Sequence, residues 1–221
     1  MTVSITRAQK VDQKQLAIAS RRSANATKVI NDVAALPANE RIPKPLLDKA
    51  KAIAVFPDTK EISLLYQKAR KGYGVVSRRL ETGWSTPAFY GFGMQKVKLT
   101  GLNTDNSGII MLIMTERALK GFANDWVALT GSAGPVGELT PDKEKELTGV
   151  NVIIYSLTEG KLSGLKVGGA IPSLSRINSD NNINNPIFGL KARDVMWSKT
   201  PIEPPSPEIG EFQKALINLL K

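Results

Sequence analysis

Carboxylates, lysines and arginines are the residues left to do chemistry in this chain, which contains no histidine and no cysteine. That removes thiol and imidazole nucleophiles, imidazole general bases, disulfides, and zinc or haem sites built on those ligands. Carboxylate or lysine catalysis, or an oxygen-ligated metal, would need acids that converge. The densest acidic stretch, Glu138, Asp142, Glu144 and Glu146, is interleaved with Lys143 and Lys145, the pattern of a solvated helix face. A non-enzymatic protein with no cofactor and no metal is therefore expected.

Two sets of cations remain. Lys68, Arg70, Lys71, Arg78 and Arg79 surround Tyr66 and Tyr73 in an expected hairpin. Such a loop can clamp a phosphate head group, Gly72 and Gly74 allowing close backbone approach and arginine supplying forked hydrogen bonds. A charged hairpin facing solvent has the same sequence. The second set is Lys14, Arg21 and Lys28, which with Arg7 recur every seven residues and with Lys10 flank a helical stripe of Val11, Ile18, Val29, Val33 and Leu36. Basic stems beside an apolar face suit an interfacial helix. They suit equally a helix packed on its own domain, and Arg22 lies inside the stripe.

The formal net charge is +10, and its distribution is uneven. Residues 1–82 hold 16 Lys+Arg against 7 Asp+Glu, net +9, whereas residues 83–221 hold 14 against 13, net +1. A one-sided basic charge implies an anionic partner, a membrane surface or a nucleic acid, unless it serves only solubility. Nucleic acid is disfavoured, because 6% of residues are aromatic and no stacking motif occurs.

These cations need elements to hold them. The 221 residues are enough for a sizeable core, and no apolar run approaches the roughly 18 residues of a membrane-spanning helix. Residues 8–36 lack Gly and Pro and predict one or two helices ending before Pro37. A second helix follows Pro43, then an apolar run from Ile53 to Phe56 that Pro57 stops. Strands are expected over 62–66, 75–80, 84–90, 95–100, 109–115, 126–129, 150–157 and 162–171, with a helical turn or two from Thr115 to Lys120. Asn178 to Asn185 reads as an exposed loop, and after Pro201 to Pro207 a last amphipathic helix presents Ile209, Phe212, Leu216 and Leu219. The fold class expected is α+β: an antiparallel β-sandwich or barrel-like sheet flanked by N-terminal and C-terminal amphipathic helices.

Several short motifs reduce to structure. Trp84 and Phe89 alternate with polar positions and read as core. The stretch from Gly131 to Gly137 lacks the spacing and following Lys-Ser/Thr of a phosphate loop and reads as a turn, as does Gly160 to Gly164. Pro201 to Pro204 fits a minimal Pro-x-x-Pro but reads as a linker.

Six blocks in order over about residues 23–196 resemble the SYLF (DUF500-like) family. They are Arg41 to Pro57, Gly72 to Arg79, Gly83-Trp-Ser-Thr-Pro-Ala-Phe89, Met114 to Leu119, Ala133 to Gly137, and Ile154 to Gly164. The family's Gly-rich run after the first proline-terminated strand is replaced here by Glu61 to Arg70, and its Gln-Ile-Gly block by Lys98 to Gly101, so the likeness is to a divergent and bacterial-style member. The resemblance implies a lipid-binding module. Eukaryotic relatives bind phosphoinositides, partly through an N-terminal amphipathic helix, and some bind actin.

The expected function is thus binding of anionic phospholipid at a membrane surface. A carrier enclosing an acyl chain in its β-rich core and a basic scaffold binding an acidic polymer are the alternatives. Residues 1–22 are expected to form an N-terminal extension or helix start, 23–198 the SYLF-like domain, and 199–221 a proline-containing linker and a helix packing on that domain. The expected location is peripheral at a membrane, in the cell envelope or periplasm if an export signal has been trimmed, and otherwise cytoplasmic; Met1 to Arg7 lacks an apolar signal region.

Overall fold

The structure, a computed structural model, describes residues 11–64, 67–95, 108–123, 151–164 and 175–221. Helix α1 (Gln13–Ala34) starts where the Asp12 carboxylate accepts hydrogen bonds from the Lys14 and Gln15 amides at 2.9 and 3.1 Å, satisfying donors that the first turn cannot pair itself. It runs unbroken to Ala34, and a 3-10 turn (Ala38–Glu40) follows Pro37. Helix α2 (Lys44–Lys49) leads into strand β1 (Ala52–Leu64), which forms a hairpin with β2 (Gln67–Leu80). Strands β3 (Gly83–Trp84), β4 (Ala88–Gln95) and β5 (Gly108–Ile113) precede helix α3 (Glu116–Ala123). Strands β6 (Val152–Thr158), β7 (Lys161–Gly164) and β8 (Ser175–Ser179) are followed by helices α4 (Asn181–Phe188), α5 (Ala192–Trp197) and α6 (Pro207–Leu219).

The fold is α+β, with one antiparallel sheet of eight strands in the order β7-β6-β5-β1-β2-β4-β8 and β3 paired to β2. Among the described residues β7 and β8 form the two ends of this ladder and no pairing joins them, so the sheet is open and not closed as a barrel. Helices cover both faces. On one face Ile53, Val55, Val75, Phe89, Ile110 and Leu112 pack under α1, α2, α4 and α6. On the other, Ala54, Phe56, Val76, Tyr90, Met111 and Ile154 pack under α3 and α5. Burial on both faces explains why β1 begins as a continuous apolar run instead of an alternating one.

Four readings of the sequence are corrected. Pro57 does not end its strand: β1 passes through it, because the β1–β2 register shifts between Val55 and Asp58 and a bulge spares Pro57 a ladder hydrogen bond. Gly74 lies opposite, and a Cβ there would meet the Val55 carbonyl oxygen at 2.0 Å and the Phe56 ring at 2.8 Å. The strand expected over 84–90 is two strands, since Ser85 and Thr86 turn away; Thr86 donates to the Ile202 carbonyl and the Ser85 hydroxyl accepts from the Arg78 amide. The strand expected over 62–66 is, as far as Leu64, the end of the longer β1, and the one expected over 75–80 is the end of the longer β2.

Nor are the asparagines of 178–185 a loop. Asn184 is fully buried, accepting from the Phe89 amide at 3.0 Å and donating to the Phe89 and Asp180 carbonyls at 2.9 Å each. Asn181 accepts from the Ala192 amide at 3.0 Å, which ties α4 to α5. The polarity of these two side chains is spent inside the fold. The readings over 96–100, 126–129, 131–137, 138–146 and 165–171 lie outside the described residues.

Helix α1 uses a narrower apolar face than its sequence stripe suggests. Ala19, Ala26, Ile30 and Val33 are completely buried, Val29 nearly so, whereas Val11, Ile18 and Leu36 pack at the margin. Small residues let the helix approach the sheet and α6 closely. At the opposite end of β6, the turn at Glu159 and Gly160 has φ of 49° and 74°, the left-handed pair that joins two strands in a tight hairpin. Trp84 and Phe89 belong to the core, at 2% and 0% exposure.

Candidate functional site

Alternation along β2 places Lys71, Tyr73 and Val75 on the sheet face that α1 covers, with Val75 inside the core and Tyr73 and Lys71 beyond it. Tyr73 is 42% exposed, unusual for a large aromatic, and its ring lies against the backbone of Gly91. Arg22 of α1 lays its guanidinium over that ring, 4.4 Å from the centroid, and the Lys71 ammonium approaches it at 5.6 Å. A tyrosine flanked by two cations is held by attraction to its π face, and part of the side chain remains exposed.

Arg22 is fixed from its other side by Asp180, just before α4, at 2.6 Å; the two side chains are 18% and 12% exposed. The arginine inside the apolar stripe is thus accounted for by a carboxylate at the start of α4 and an aromatic ring on β2. Lys14, Arg21 and Lys28 project from the solvent side of α1, all exposed. Lys28 pairs with Asp32 one turn on, at 2.7 Å, an exposed pair of small energetic weight. Lys14 and Arg21 on α1 and Lys71 on β2 are exposed cations, and Lys71 is the one of these that the structure sets beside Tyr73.

Arg78 and Arg79 do different work. Being adjacent in a strand they point to opposite faces, and each guanidinium closes the end of a helix on its own side. Arg79 donates to the Leu47 and Ala50 carbonyls at 2.6 and 2.9 Å, at the end of α2, and stacks over Trp84 at 4.4 Å. Arg78 donates to the Met196 and Ser198 carbonyls at 2.7 and 3.0 Å, at the end of α5, and lies 5.7 Å from the Trp197 ring. Helix C-termini expose carbonyls that the helix cannot pair, and a cationic fork satisfies two at once. Burial lowers the pKa of Arg79, and nearby Asp48 partly offsets this.

Lys68 and Arg70 belong to β2 and stand opposite Ser63 and Glu61 of β1, with Arg70 also paired to Met94 of β4. The structure therefore brings Lys71 and Tyr73 together with α1, and assigns Arg78 and Arg79 to the far end of the strand, about 20 Å away at ~3.3 Å per residue. Tyr66 lies outside the described residues. Asp180 carried no sequence signal as a partner for Arg22, because 158 positions separate them.

Among the described residues no helix is long and apolar enough to cross a membrane, and no three acids come together in a way that could hold a metal ion. No family model, no curated protein and no solved structure matches the chain.

Proposed function

We propose that this protein is a non-enzymatic, divergent SYLF-like module that binds anionic phospholipid peripherally, presenting the outer face of α1 and the Tyr73 region of β2 to a membrane surface. The observation that carries this reading is the exposed Tyr73 ring held between Arg22 and Lys71, beside a row of exposed cations on α1. Tyrosine rings favour the boundary between head groups and acyl chains, and the neighbouring ammonium and guanidinium groups meet phosphate.

The magnitudes are consistent with reversible attachment. Each Lys or Arg close to an anionic surface contributes about 1 kcal/mol, so Lys14, Arg21 and Lys71 together supply about 3 of the ~8 kcal/mol of micromolar affinity. Aromatic insertion and Lys28 would add to this. Docking of the apolar side of α1 on its own domain supports contact through the helix's cationic side and not through its apolar stripe. With both sheet faces packed by helices, a surface site is favoured over an acyl chain held inside the sheet. A peripheral location at a membrane, in the cell envelope or on its cytoplasmic side, follows from the same reading.

The test is co-sedimentation with vesicles. Binding is expected to vesicles containing phosphatidylglycerol, weakening as salt rises because exposed charges are screened. Equal pelleting with purely phosphatidylcholine vesicles at every salt concentration would overturn the proposal.

A further inference from the structure

At the other end of the molecule from Tyr73, an open groove of about 640 Å³ runs between the entry to α2 and the end of α6. Its floor includes Ile42, Leu47 and Leu219, and Arg41, Lys44 and Lys221 line it with positive charge. Among the described residues that line it, no side chain is acidic or aromatic. The nearest carboxylate the structure pairs with these cations is Asp48, 3.0 Å from the Lys44 ammonium, on the turn of α2 behind the groove. Lys44 also donates to the Leu220 carbonyl at 2.8 Å and so holds the two walls together. Lys221 donates to the Asn218 side chain at 3.0 Å.

Arg41 is the anomaly. Its Nε is buried and has no hydrogen-bond partner among the described residues. An unpaired buried donor costs free energy, more so on a charged group, and a part-exposed arginine beside an apolar groove can recover it by a small rotation toward an acceptor. What would satisfy it is an oxyanion that matches the guanidinium fork.

From this we infer that the groove between α2 and α6 is a binding site for a single-chain alkyl carboxylate, its head on Arg41 and Lys44 and its chain along Ile42, Leu47 and Leu219. The volume is within the roughly 300–1,000 Å³ of sites for one small ligand. Absence of aromatic rings from the lining disfavours nucleobases and sugars that stack, and side chains that are nearly all donors or aliphatic leave little to accept the amide hydrogens of a peptide. An anionic head on an aliphatic tail fits both parts of the surface. The site is separate from the membrane-facing surface: Leu47 receives Arg79, at the opposite end of β2 from Lys71 and Tyr73.

Isothermal titration of the full chain with decanoate, kept below its micelle concentration, tests this against decan-1-ol and a short peptide with a free C-terminus. Saturable one-to-one binding of decanoate is expected, with decanol weaker by tenfold or more. Arg41→Gln should weaken decanoate about tenfold or more and Lys44→Gln about fivefold, with a thermal melt at the parent's midpoint showing that loss of the Lys44–Leu220 contact has not opened the groove. Lys14→Gln and Arg21→Gln should leave it unchanged, and Lys44→Gln should still bind anionic vesicles, so loss of one site is read independently of the other. No saturable binding, decanol or the peptide binding as tightly as decanoate, or Lys44→Gln within twofold of the parent would each overturn the assignment. A thermal melt identifies an unfolded Arg41→Gln, in which case Lys44→Gln decides.

Discussion

Arg22 and Asp180 are separated by 158 positions in the chain and meet at 2.6 Å, joining α1 to the strand end that precedes α4. Because the pair is mostly buried, each partner is left badly solvated without the other. Arg22→Ala and Asp180→Asn are each expected to lower stability by about 1–3 kcal/mol. The double variant should cost less than the two single losses summed, a coupling measurable by urea unfolding in a double-mutant cycle. Full additivity would show that the contact carries no energy.

Arg79 illustrates a cation that the fold uses for itself. Lysine keeps the charge but cannot reproduce a rigid fork to the Leu47 and Ala50 carbonyls, so Arg79→Lys should destabilise by about 1–2 kcal/mol. Vesicle binding at matched fraction folded should be preserved. If instead stability is unchanged while lipid affinity falls, Arg79 belongs to the membrane surface after all.

Gly74 faces the bulge of β1 with no room for a side chain, and Gly91 beside Tyr73 has room, its added Cβ meeting the ring at 3.6 Å. Gly74→Ala is therefore expected to cost about 3 kcal/mol or more, and Gly91→Ala less than about 1 kcal/mol, from chemical denaturation. Similar losses at the two positions would mean that the register at the bulge is wrong.

Acid should loosen the start of α6. The Glu208 carboxylate is held below its ordinary pKa of 4.5, chiefly by its own backbone amide and then by the Ser206 hydroxyl, with burial opposing and the Ser20 hydroxyl adding least. A carboxylate depressed in the folded state stabilises above its unfolded pKa and loses that contribution as pH falls through the folded value. Between pH 6 and pH 5 the parent should therefore have a higher urea midpoint than Glu208→Gln, and the gap should close as pH falls below 4.5. A gap independent of pH would show that the charge is irrelevant there.

Composition and local pattern determined a good deal alone. Lack of His and Cys set imidazole and thiol chemistry aside, Pro37 and Pro43 bounded the first helices, the Ile209, Phe212 and Leu216 spacing marked α6, and β-branched runs marked several of the strands. Each depends on neighbours within one or two turns of chain, where backbone sterics and periodicity act. Tertiary structure decided the rest. A bulge opposite Gly74 let a strand cross Pro57, buried backbone at Phe89 turned an asparagine-rich segment into a helix, and position along β2 split one run of basic residues into helix clamps at its end and an exposed Tyr73–Lys71 pair nearer its start. A side chain's charge is written in the sequence; whether it meets a carbonyl, a ring or water depends on which distant segment folds against it.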